Sequence, residues 1–328
     1  MSDDDVAGVN ADVVARAVRE DTVARAVAVL RSGGAIALPT ETVYGLAADV
    51  ANETAIARVY AIKGRPAGHP LIVHAHDLDA LAGYVAGITP DLRALAARFW
   101  PGPLTAIAAR GERTPRTVTG GQETVAVRVP DHPLALAILR AFGGALAAPS
   151  ANRFGRISPT SAAHVRDDLG DAVDLIVDGG PARVGVESTI VDLTGGVPAV
   201  LRAGAITASQ LGAALGRPVV TRVGGNGSDG GGGVRAPGTL ASHYAPRARV
   251  VLVEAAACEA EANRRAANGE RVALLTLPAD AQAAARSLYA TLRALDADGY
   301  DTIVATLPPD AEANAAVRDR LTRAAAPR

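Results

Sequence analysis

The sequence predicts an α/β protein in which a twisted, mixed sheet is covered by helices and a smaller parallel α/β unit follows near the C-terminus. Two observations support this fold class. Short runs rich in Val, Ile and Ala interleave with helical stretches, but without a strict strand–helix–strand rhythm. Beyond residue 246, three strand-like runs alternate regularly with helical ones, which is typical of a small Rossmann-like parallel sheet.

The elements of the first part are predicted from apolar spacing and from Gly and Pro stop signals. Helices are expected at 11–31, 53–62, 77–86, 90–99, 132–142 and 207–216. Strands are expected at 35–39, 71–75, 104–110 and 124–130 and in the runs ALAAP, DLIV, STIVDL and AVLR. In the C-terminal unit, helices follow the strand-like runs RVVLVE, RVALLTLP and YDTIVATLP.

A glycine-rich stretch divides the chain. GGNGSDGGGG contains seven glycines in ten positions and cannot support a packed core, so we interpret it as part of a flexible linker. The predicted domains are a catalytic domain over 11–217, a linker or lid arm over 218–246, and an accessory domain over 247–328.

Composition limits the possible functions. Hydrophobic residues make up 49% of the 328 residues, enough for a sizeable core, and the formal net charge of −1 argues against a strongly basic nucleic-acid binder. The single cysteine, Cys258, excludes internal disulfides and multi-thiolate zinc sites. The acidic start MSDDDVAGVN has no secretory pattern, and no apolar run reaches 18 residues, so we expect a soluble, cytoplasmic protein.

Four polar clusters lie at the ends of apolar runs of the first domain, where open α/β sheets place their ligand sites. The clusters are PTETVYG at 39–45, KGRP at 63–66, PSAN at 149–152 with SPT at 158–160, and EST at 187–189. Together they are rich in hydroxyls, amides and cations and poor in general bases. This inventory suits the positioning and charge neutralisation of phosphates better than proton abstraction.

Lys63 is the only lysine among 33 cationic residues, and it lies one glycine away from Arg65. A polyphosphate site would use both the compact ammonium and the bidentate guanidinium, whereas the alternative is a solvated loop. His74 and His76 have no third partner at metal-ligand spacing, so no protein-ligated metal is expected. Ser150 and Ser188 lie outside any GxSxG motif, which argues against a serine hydrolase.

In order along the chain, the clusters resemble the YrdC-like threonylcarbamoyl-AMP synthases. The matching motifs are LPTETVYGLAAD, KGRP with HPLIVH, FWPGPLT, TVAVRVPDH, APSANRFGRISPT, ESTIVDLTG, LRAGAIT and APGTLASHYAP. The C-terminal unit looks like the accessory domain of the two-domain form. The resemblance implies a nucleotidyltransferase that converts L-threonine, bicarbonate and ATP into threonylcarbamoyl-AMP and pyrophosphate. It also implies a downstream complex that transfers threonylcarbamoyl to tRNA adenosine.

The resemblance also implies site residues, carried over by motif. Those implied for L-threonine are Thr42, His74, Arg128, Ala148 and Ser188. Those implied for ATP are Lys63, Arg65, His69, Thr124, Ser150, Asn152, Ser158, Arg202 and Tyr244. Lys63 and Arg65 are expected to be catalytic, with Mg²⁺ arriving on ATP. His69 departs from the asparagine that the family commonly has in this motif.

Two other functions remain open at this stage. YrdC-like folds are associated with RNA binding through a basic cavity, although ten aromatic residues give little surface for stacking on single strands. A carbamoyltransferase of hydrogenase maturation contains a related domain. That machinery carries Cys-rich zinc modules, which one cysteine excludes.

Overall fold

The computed structural model describes residues 18–223, 234–240 and 242–327. Within these residues the larger sheet has ten strands in the order β10-β9-β8-β4-β5-β3-β6-β2-β1-β7. The strands are β1 Ile36–Leu38, β2 Gly45–Asp49, β3 Ile72–His74, β4 Leu104–Ala109, β5 Thr124–Arg128, β6 Leu146–Ala147, β7 Leu175–Ile176, β8 Thr189–Asp192, β9 Ala199–Arg202 and β10 Val220–Thr221. The sheet is mixed, because β3 runs parallel to β5 whereas β4 runs antiparallel to it. The predicted fold class is thereby confirmed.

Helices cover both faces of this sheet. They are α1 over 18–31, α2 Glu53–Lys63, α3 Pro90–Phe99, α4 Arg116–Thr119, α5 Pro133–Phe142, α6 Ala162–Leu169 and α7 Ala208–Leu215. On one face, α2, α3 and α7 pack with β-strand residues such as Leu46 and Val127. On the other face, α1 and α5 pack with Ile36 and Leu38. The strands therefore read as nearly continuous apolar runs, as expected of a sheet buried on both sides.

The helix predicted over 77–86 is wrong. The structure has only a short 3₁₀ turn, Asp79–Leu81. Gly83 adopts a φ of 81°, and its carbonyl accepts a hydrogen bond from the backbone N–H of Arg113. The next carbonyl, that of Tyr84, accepts from Gly111. Since a neighbouring loop occupies these carbonyls, they cannot join a helical ladder. Residues 11–17 of the first predicted helix lie outside the described residues.

The C-terminal unit is a three-stranded parallel sheet in the order β11-β13-β12. Its elements are β11 Arg249–Leu252, α8 Cys258–Ala267, β12 Val272–Leu274, α9 Ala281–Ala297, β13 Thr302–Ala305 and α10 Ala315–Ala325. The alternation predicted from the sequence is therefore confirmed. The domain boundaries stay a prediction. Val220 and Thr221, inside the predicted arm, pair with β9 as β10, and the glycine-rich stretch 224–233 lies outside the described residues.

The two units meet where α9 and α10 pack against the loop that precedes β8. Gly185 of this loop has a φ of 82°, and a Cβ built on it would lie 2.5 Å from the Cα of Arg286 on α9. Nearby, the guanidinium of Arg293 on α9 binds the carboxylate of Asp168 on α6. Arg320 of α10 donates to the Ala203 carbonyl at 2.9 Å. The docking of α9 thus requires a residue without a side chain at position 185.

We expect Gly185→Ala to destabilise the protein by about 3 kcal/mol or more, because a methyl group would collide with the α9 backbone as well as force a left-handed φ. Gly143→Ala is the matched control. Its φ of 77° is similar, but nothing lies within 4 Å of the position that a Cβ would take, so only the backbone cost of about 1 kcal/mol applies. Urea unfolding of both variants checks this, and equal losses would contradict the close approach.

Candidate active site

A cavity of about 50 Å³ lies at the ends of β2, β3, β5 and β6, under residues 237–244 of the chain that leads to the C-terminal unit. Strand pairing forms its floor: the N–H of Leu46 donates to the Pro149 carbonyl, and that of Ala148 donates to the Ile72 carbonyl. Eight of the residues that the family resemblance implied line this cavity. They are Thr42, Arg65, His74, Arg128, Ala148, Ser150, Arg202 and Tyr244.

Arg128, the last residue of β5, organises one wall of the cavity. Its Nη2 donates to the Thr42 hydroxyl at 2.9 Å and lies 2.7 Å from the carboxylate of Glu41, while its Nε donates to the Gly102 carbonyl at 3.2 Å. Glu41 is 2% exposed and was not selected from the sequence. Its position next to Thr42 was the only signal, because the sequence does not show that Arg128 comes from 86 residues further along.

His74 lies opposite Arg128 in the pairing of β3 with β5. Its Nδ1 is 3.0 Å from the Ile72 carbonyl. Burial, reinforced by the nearby positive charge of Arg128, lowers the pKa of His74 to about 3. The imidazole is therefore neutral near pH 7 and can take part in hydrogen bonds without adding charge to the wall.

Lys63 is almost completely buried at the end of α2, with 2% of its surface exposed. Its Nζ donates to the Ser150 carbonyl at 2.5 Å and to the Asn152 carbonyl at 2.6 Å, so the lysine fastens the PSAN loop to α2. Burial, together with the charge of Arg65, lowers the pKa of Lys63 well below its usual value. The expectation that Lys63 faces phosphates stays a prediction.

Arg65 and His243 belong to the second wall of the cavity, and the rings of Phe154 and His69 pack behind them. The Arg65 guanidinium donates to the Pro70 carbonyl at 3.0 Å and lies 5.5 Å from the centre of the Phe154 ring. The Phe154 ring is in edge contact with His69 at 5.4 Å and with His243 at 5.8 Å. Phe154 and His243 were missed as site residues, although both lie inside quoted family motifs.

Arg202, at the end of β9, binds the loop around Ser188. Its Nε donates to the Ser188 carbonyl and its Nη2 to the Ser188 hydroxyl, both at 3.0 Å, and its Nη1 donates to the Pro237 carbonyl at 3.1 Å. The Ser188 hydroxyl is also 2.7 Å from that of Thr105. Arg202 therefore joins the sheet, the serine and the covering arm at one point.

Glu187 was also missed, and it is the most connected carboxylate at the cavity. Its two oxygens accept hydrogen bonds from Ser158 at 2.5 Å, Tyr289 at 2.8 Å and Arg320 at 2.9 Å. Burial would raise its pKa, but the charges of Arg320 and Arg202 and these hydrogen bonds outweigh burial and lower the pKa to about 2. Two of its partners come from the C-terminal unit, so no local pattern could reveal them.

Six of the implied residues do not line the cavity: Lys63, His69, Thr124, Asn152, Ser158 and Ser188. Most of them support residues that do. The Asn152 amide donates to the carbonyls of Arg153 and Arg156, both at 2.8 Å, and so closes the loop that carries Ser150. Their roles toward a ligand stay predictions. Among the described residues no group of three or more His, Cys, Asp or Glu side chains could hold a metal ion.

Residues 234–240 and 242–246, hereafter the arm, cover the cavity. At its far end, Gln122 and Arg235 exchange two hydrogen bonds, Arg235 N to Gln122 Oε1 at 2.7 Å and Gln122 Nε2 to the Arg235 carbonyl at 3.1 Å. At its near end, Tyr244 is 1% exposed and has a φ of 61°, the only non-glycine residue with positive φ in the described ranges. The next N–H, that of Ala245, donates to the Gly155 carbonyl at 3.0 Å.

Comparison with known proteins agrees with the two-unit architecture. The model of a family described as "Telomere recombination" (Sua5_yciO_yrdC) matches residues 28–204. The model of the "Threonylcarbamoyl-AMP synthase, C-terminal domain" matches residues 206–326. The fold and the cavity thus define a YrdC-class domain joined to a second domain of known type.

Relatives that match along more than 90% of this chain identify the family within this class. The threonylcarbamoyl-AMP synthase of Bacillus subtilis is 38% identical, with 92% of each chain covered. The crystal structure of Pyrococcus abyssi Sua5 complexed with L-threonine matches with a TM-score of 0.87 and 36% identity over 92% of this chain and 94% of that one. This chain belongs to the threonylcarbamoyl-AMP synthase family, a family of nucleotidyltransferases, as the sequence motifs predicted. No helix in the described part of the chain is long and apolar enough to cross a membrane.

We expect the protein to lose stability between pH 7 and pH 5.5 because of His74 and His243. Burial holds the pKa of each near 3 in the folded state, against about 6.5 when unfolded. As the pH falls, the unfolded chain binds protons that the folded chain does not. Each imidazole therefore lowers the free energy of unfolding by about 1 kcal/mol between pH 7 and pH 5.5. The pKa of Glu187 is lowered in the folded state, so this carboxylate stabilises the fold fully at pH values above the ordinary carboxyl pKa. Its contribution to stability therefore does not change between pH 7 and pH 5.5.

Urea unfolding at both pH values measures this loss. His74→Gln should lose about 1 kcal/mol less than the unmodified protein on acidification. An unchanged pH dependence in His74→Gln would show that His74 is not held neutral.

Proposed function

We propose that this protein converts L-threonine, bicarbonate and ATP into threonylcarbamoyl-AMP and pyrophosphate, the activated intermediate for N6-threonylcarbamoylation of tRNA adenosine. One observation carries the proposal. A single buried cavity has a carboxylate-binding group, Arg128 with Thr42, on one wall and the cations Arg65 and Arg202 on the other. The similarity to a structure that contains L-threonine supports the amino-acid side of this assignment.

Threonine fits the wall built on Arg128. The guanidinium would bind its carboxylate, in competition with Glu41, which lies 2.7 Å away in this structure. The hydroxyls of Thr42 and Ser188 and the neutral His74 supply neighbouring hydrogen-bonding groups, and Ala148 contributes backbone. A site that pairs with the threonine hydroxyl rejects valine, since its own polar groups would otherwise stay unpaired.

The reaction then needs two bond-forming steps. The threonine amine attacks the carbon of CO₂ derived from bicarbonate and, after losing a proton, forms a carbamate. A carbamate oxygen next attacks the α-phosphorus of ATP, and the bond from that phosphorus to the bridging oxygen of pyrophosphate breaks. The products are a mixed carbamic–phosphoric anhydride and pyrophosphate. Positive groups at the phosphates stabilise the charge that develops on the leaving group.

Arg65 and Arg202 are the cations of this chain that reach the cavity on the proposed ATP side, and Lys63 acts immediately behind them. Mg²⁺ fits this site only as an ion bound to the ATP phosphates. Glu41 and Glu187 are already paired with arginines, and the described residues contain no metal-binding cluster. When bound, the ion would neutralise phosphate charge.

Purified protein should release pyrophosphate from ATP only when both threonine and bicarbonate are present, and Lys63→Ala should reduce this release at least about a hundredfold. The alanine leaves the Ser150 and Asn152 carbonyls without their donor and removes a charge next to Arg65. Lys63→Arg should be nearly as damaging, because the larger guanidinium does not fit a fully buried ammonium position.

A coupled pyrophosphate assay measures both variants. Arg140→Ala, on the exposed side of α5, serves as the control for loss of a cation and should match the unmodified protein. Near-normal turnover in Lys63→Arg would contradict the role of the compact ammonium. ATP consumption that is indifferent to threonine would contradict the proposed reaction itself.

We also infer that the arm is a lid. Its near end is fixed by Tyr244 and Ala245, whereas its far end is held over the cavity by the Gln122–Arg235 contact and by Arg202 at the Pro237 carbonyl. The cavity of about 50 Å³ is too small for ATP, so we expect the far end to lift when ATP enters. Closure would then exclude water from the labile anhydride.

Locking the far end of the arm should stop catalysis reversibly. In a Cys258→Ser background, Gln122→Cys and Arg235→Cys can be joined by a short bifunctional maleimide whose spacer contains a reducible disulfide. The linked protein should lose ATP binding and pyrophosphate release at least about tenfold, and reductant should restore both. The control is the same protein carrying Arg235→Cys alone. Full activity in the linked protein would show that the far end of the arm does not move.

A further inference from the structure

We propose that Tyr289 and Arg320 of the C-terminal unit are positioning residues for the ATP side of the cavity, acting through Glu187 and Tyr244. The proposal rests on the proposed function and gives the second domain a defined task in it. Neither residue lines the cavity, and both are fully buried, with 0% of the Tyr289 surface and 1% of the Arg320 surface exposed.

The two units meet at Glu187, which lines the cavity. One carboxylate oxygen accepts hydrogen bonds from the Tyr289 hydroxyl at 2.8 Å and from Arg320 Nε at 2.9 Å. The other oxygen accepts from the Ser158 hydroxyl at 2.5 Å. The position of Ser158, implied for ATP, is therefore set through Glu187 by two side chains of α9 and α10.

Arg202 also lines the cavity. Its three nitrogens donate to Ser188 and to the Pro237 carbonyl, and it faces Glu187 without a hydrogen bond between them. Without Arg320, the buried carboxylate of Glu187 would lack its ion-pair partner, and Arg202 is the other cation whose charge acts on it. Pairing of Glu187 with Arg202 would withdraw this cation from a phosphate ligand. Arg320 therefore keeps Arg202 from being drawn into an ion pair with Glu187.

Tyr244, at the near end of the arm, packs against the same two side chains. The Arg320 guanidinium lies 5.0 Å from the centre of the Tyr244 ring, and the Tyr289 ring centre is 5.9 Å away. A tyrosine with a φ of 61° is in a strained conformation that persists only when its surroundings hold it. The same two side chains thus fix both Glu187 and the aromatic residue implied for ATP.

Further contacts hold these two side chains in place. The Arg320 guanidinium also donates to Asp319 at 2.6 Å and to the Ala203 carbonyl at 2.9 Å, so each of its nitrogens has a partner. The close approach of Gly185 to Arg286 fixes α9 three residues before Tyr289. The C-terminal unit is thus docked by several contacts at the place where it meets the site.

Tyr289→Phe is the sharpest test, because it removes one hydroxyl and leaves the ring. The dissociation constant and KM for ATP should rise about tenfold, as expected for a lost hydrogen bond to a charged group, while KM for threonine should change less than about twofold. In a Glu187→Gln background the added effect of Tyr289→Phe should largely vanish, since both act through one contact. Arg320→Met should produce a larger effect of the same kind.

Glu312→Ala is the matched control, because it removes another side-chain contact between the two units, the hydrogen bond that Glu312 accepts from the Ser209 N–H at 2.8 Å, and neither residue lines the cavity. ATP binding by calorimetry, steady-state kinetics and thermal unfolding are measured for every variant. An ATP dissociation constant unchanged in Tyr289→Phe, or raised equally in Glu312→Ala, would overturn the proposal. So would a lower Tm with unchanged ATP binding, which indicates support of the fold alone.

Failure of the proposed function has a different signature. In that case the unmodified protein would bind no ATP or would release pyrophosphate without needing threonine, whatever the variants do. If Arg320→Met does not fold, Tyr289→Phe and the Glu187→Gln cycle still decide the matter.

Discussion

The buried carboxylate of Glu187 is the constraint on which the site depends. A carboxylate removed from water is tolerated only where donors and positive charge meet it, and the donors here come from three separate parts of the chain: Ser158, Tyr289 and Arg320. The charged group is therefore satisfied only when both units are folded and docked. Assembly of the two units and completion of the cavity wall are consequently one event, which explains why a domain without cavity-lining residues is so tightly packed against the first.

The charge balance of the cavity follows from the same principle. Four cations, Lys63, Arg65, Arg128 and Arg202, are buried within or directly behind its walls, against two buried carboxylates: Glu41 pairs with Arg128, and Glu187 pairs with Arg320 of the C-terminal unit. Backbone carbonyls solvate much of the remainder, as at Lys63. An excess of buried positive charge favours anionic ligands such as a triphosphate or a carboxylate over neutral ones of similar shape, and water-poor surroundings strengthen this preference.

The sequence predicted most of this fold, because strands buried on both faces and well-capped helices have strong local patterns. It failed over 77–86, where the spacing suits a helix but the carbonyls of Gly83 and Tyr84 bind a distant loop. In the site, the family motifs identified fourteen residues, of which eight line the cavity. What could not be predicted are the partners of Glu187, which lie 102 and 133 residues further along the chain. Such contacts depend on how two units dock, and neither motif nor periodicity contains that information.

The small volume of the closed cavity has a consequence for affinity. A pocket that buries a nucleotide needs several hundred Å³, and this one measures about 50 Å³. If ATP binds only molecules whose arm has lifted, the measured dissociation constant is the intrinsic one divided by the fraction that is open. The two hydrogen bonds between Gln122 and Arg235 therefore weaken apparent ATP binding in proportion to the time they hold the arm shut. A protein whose arm closed more weakly would bind ATP more tightly but would lose more of the anhydride to hydrolysis. The strength of the contacts that close the arm therefore balances substrate binding against product yield.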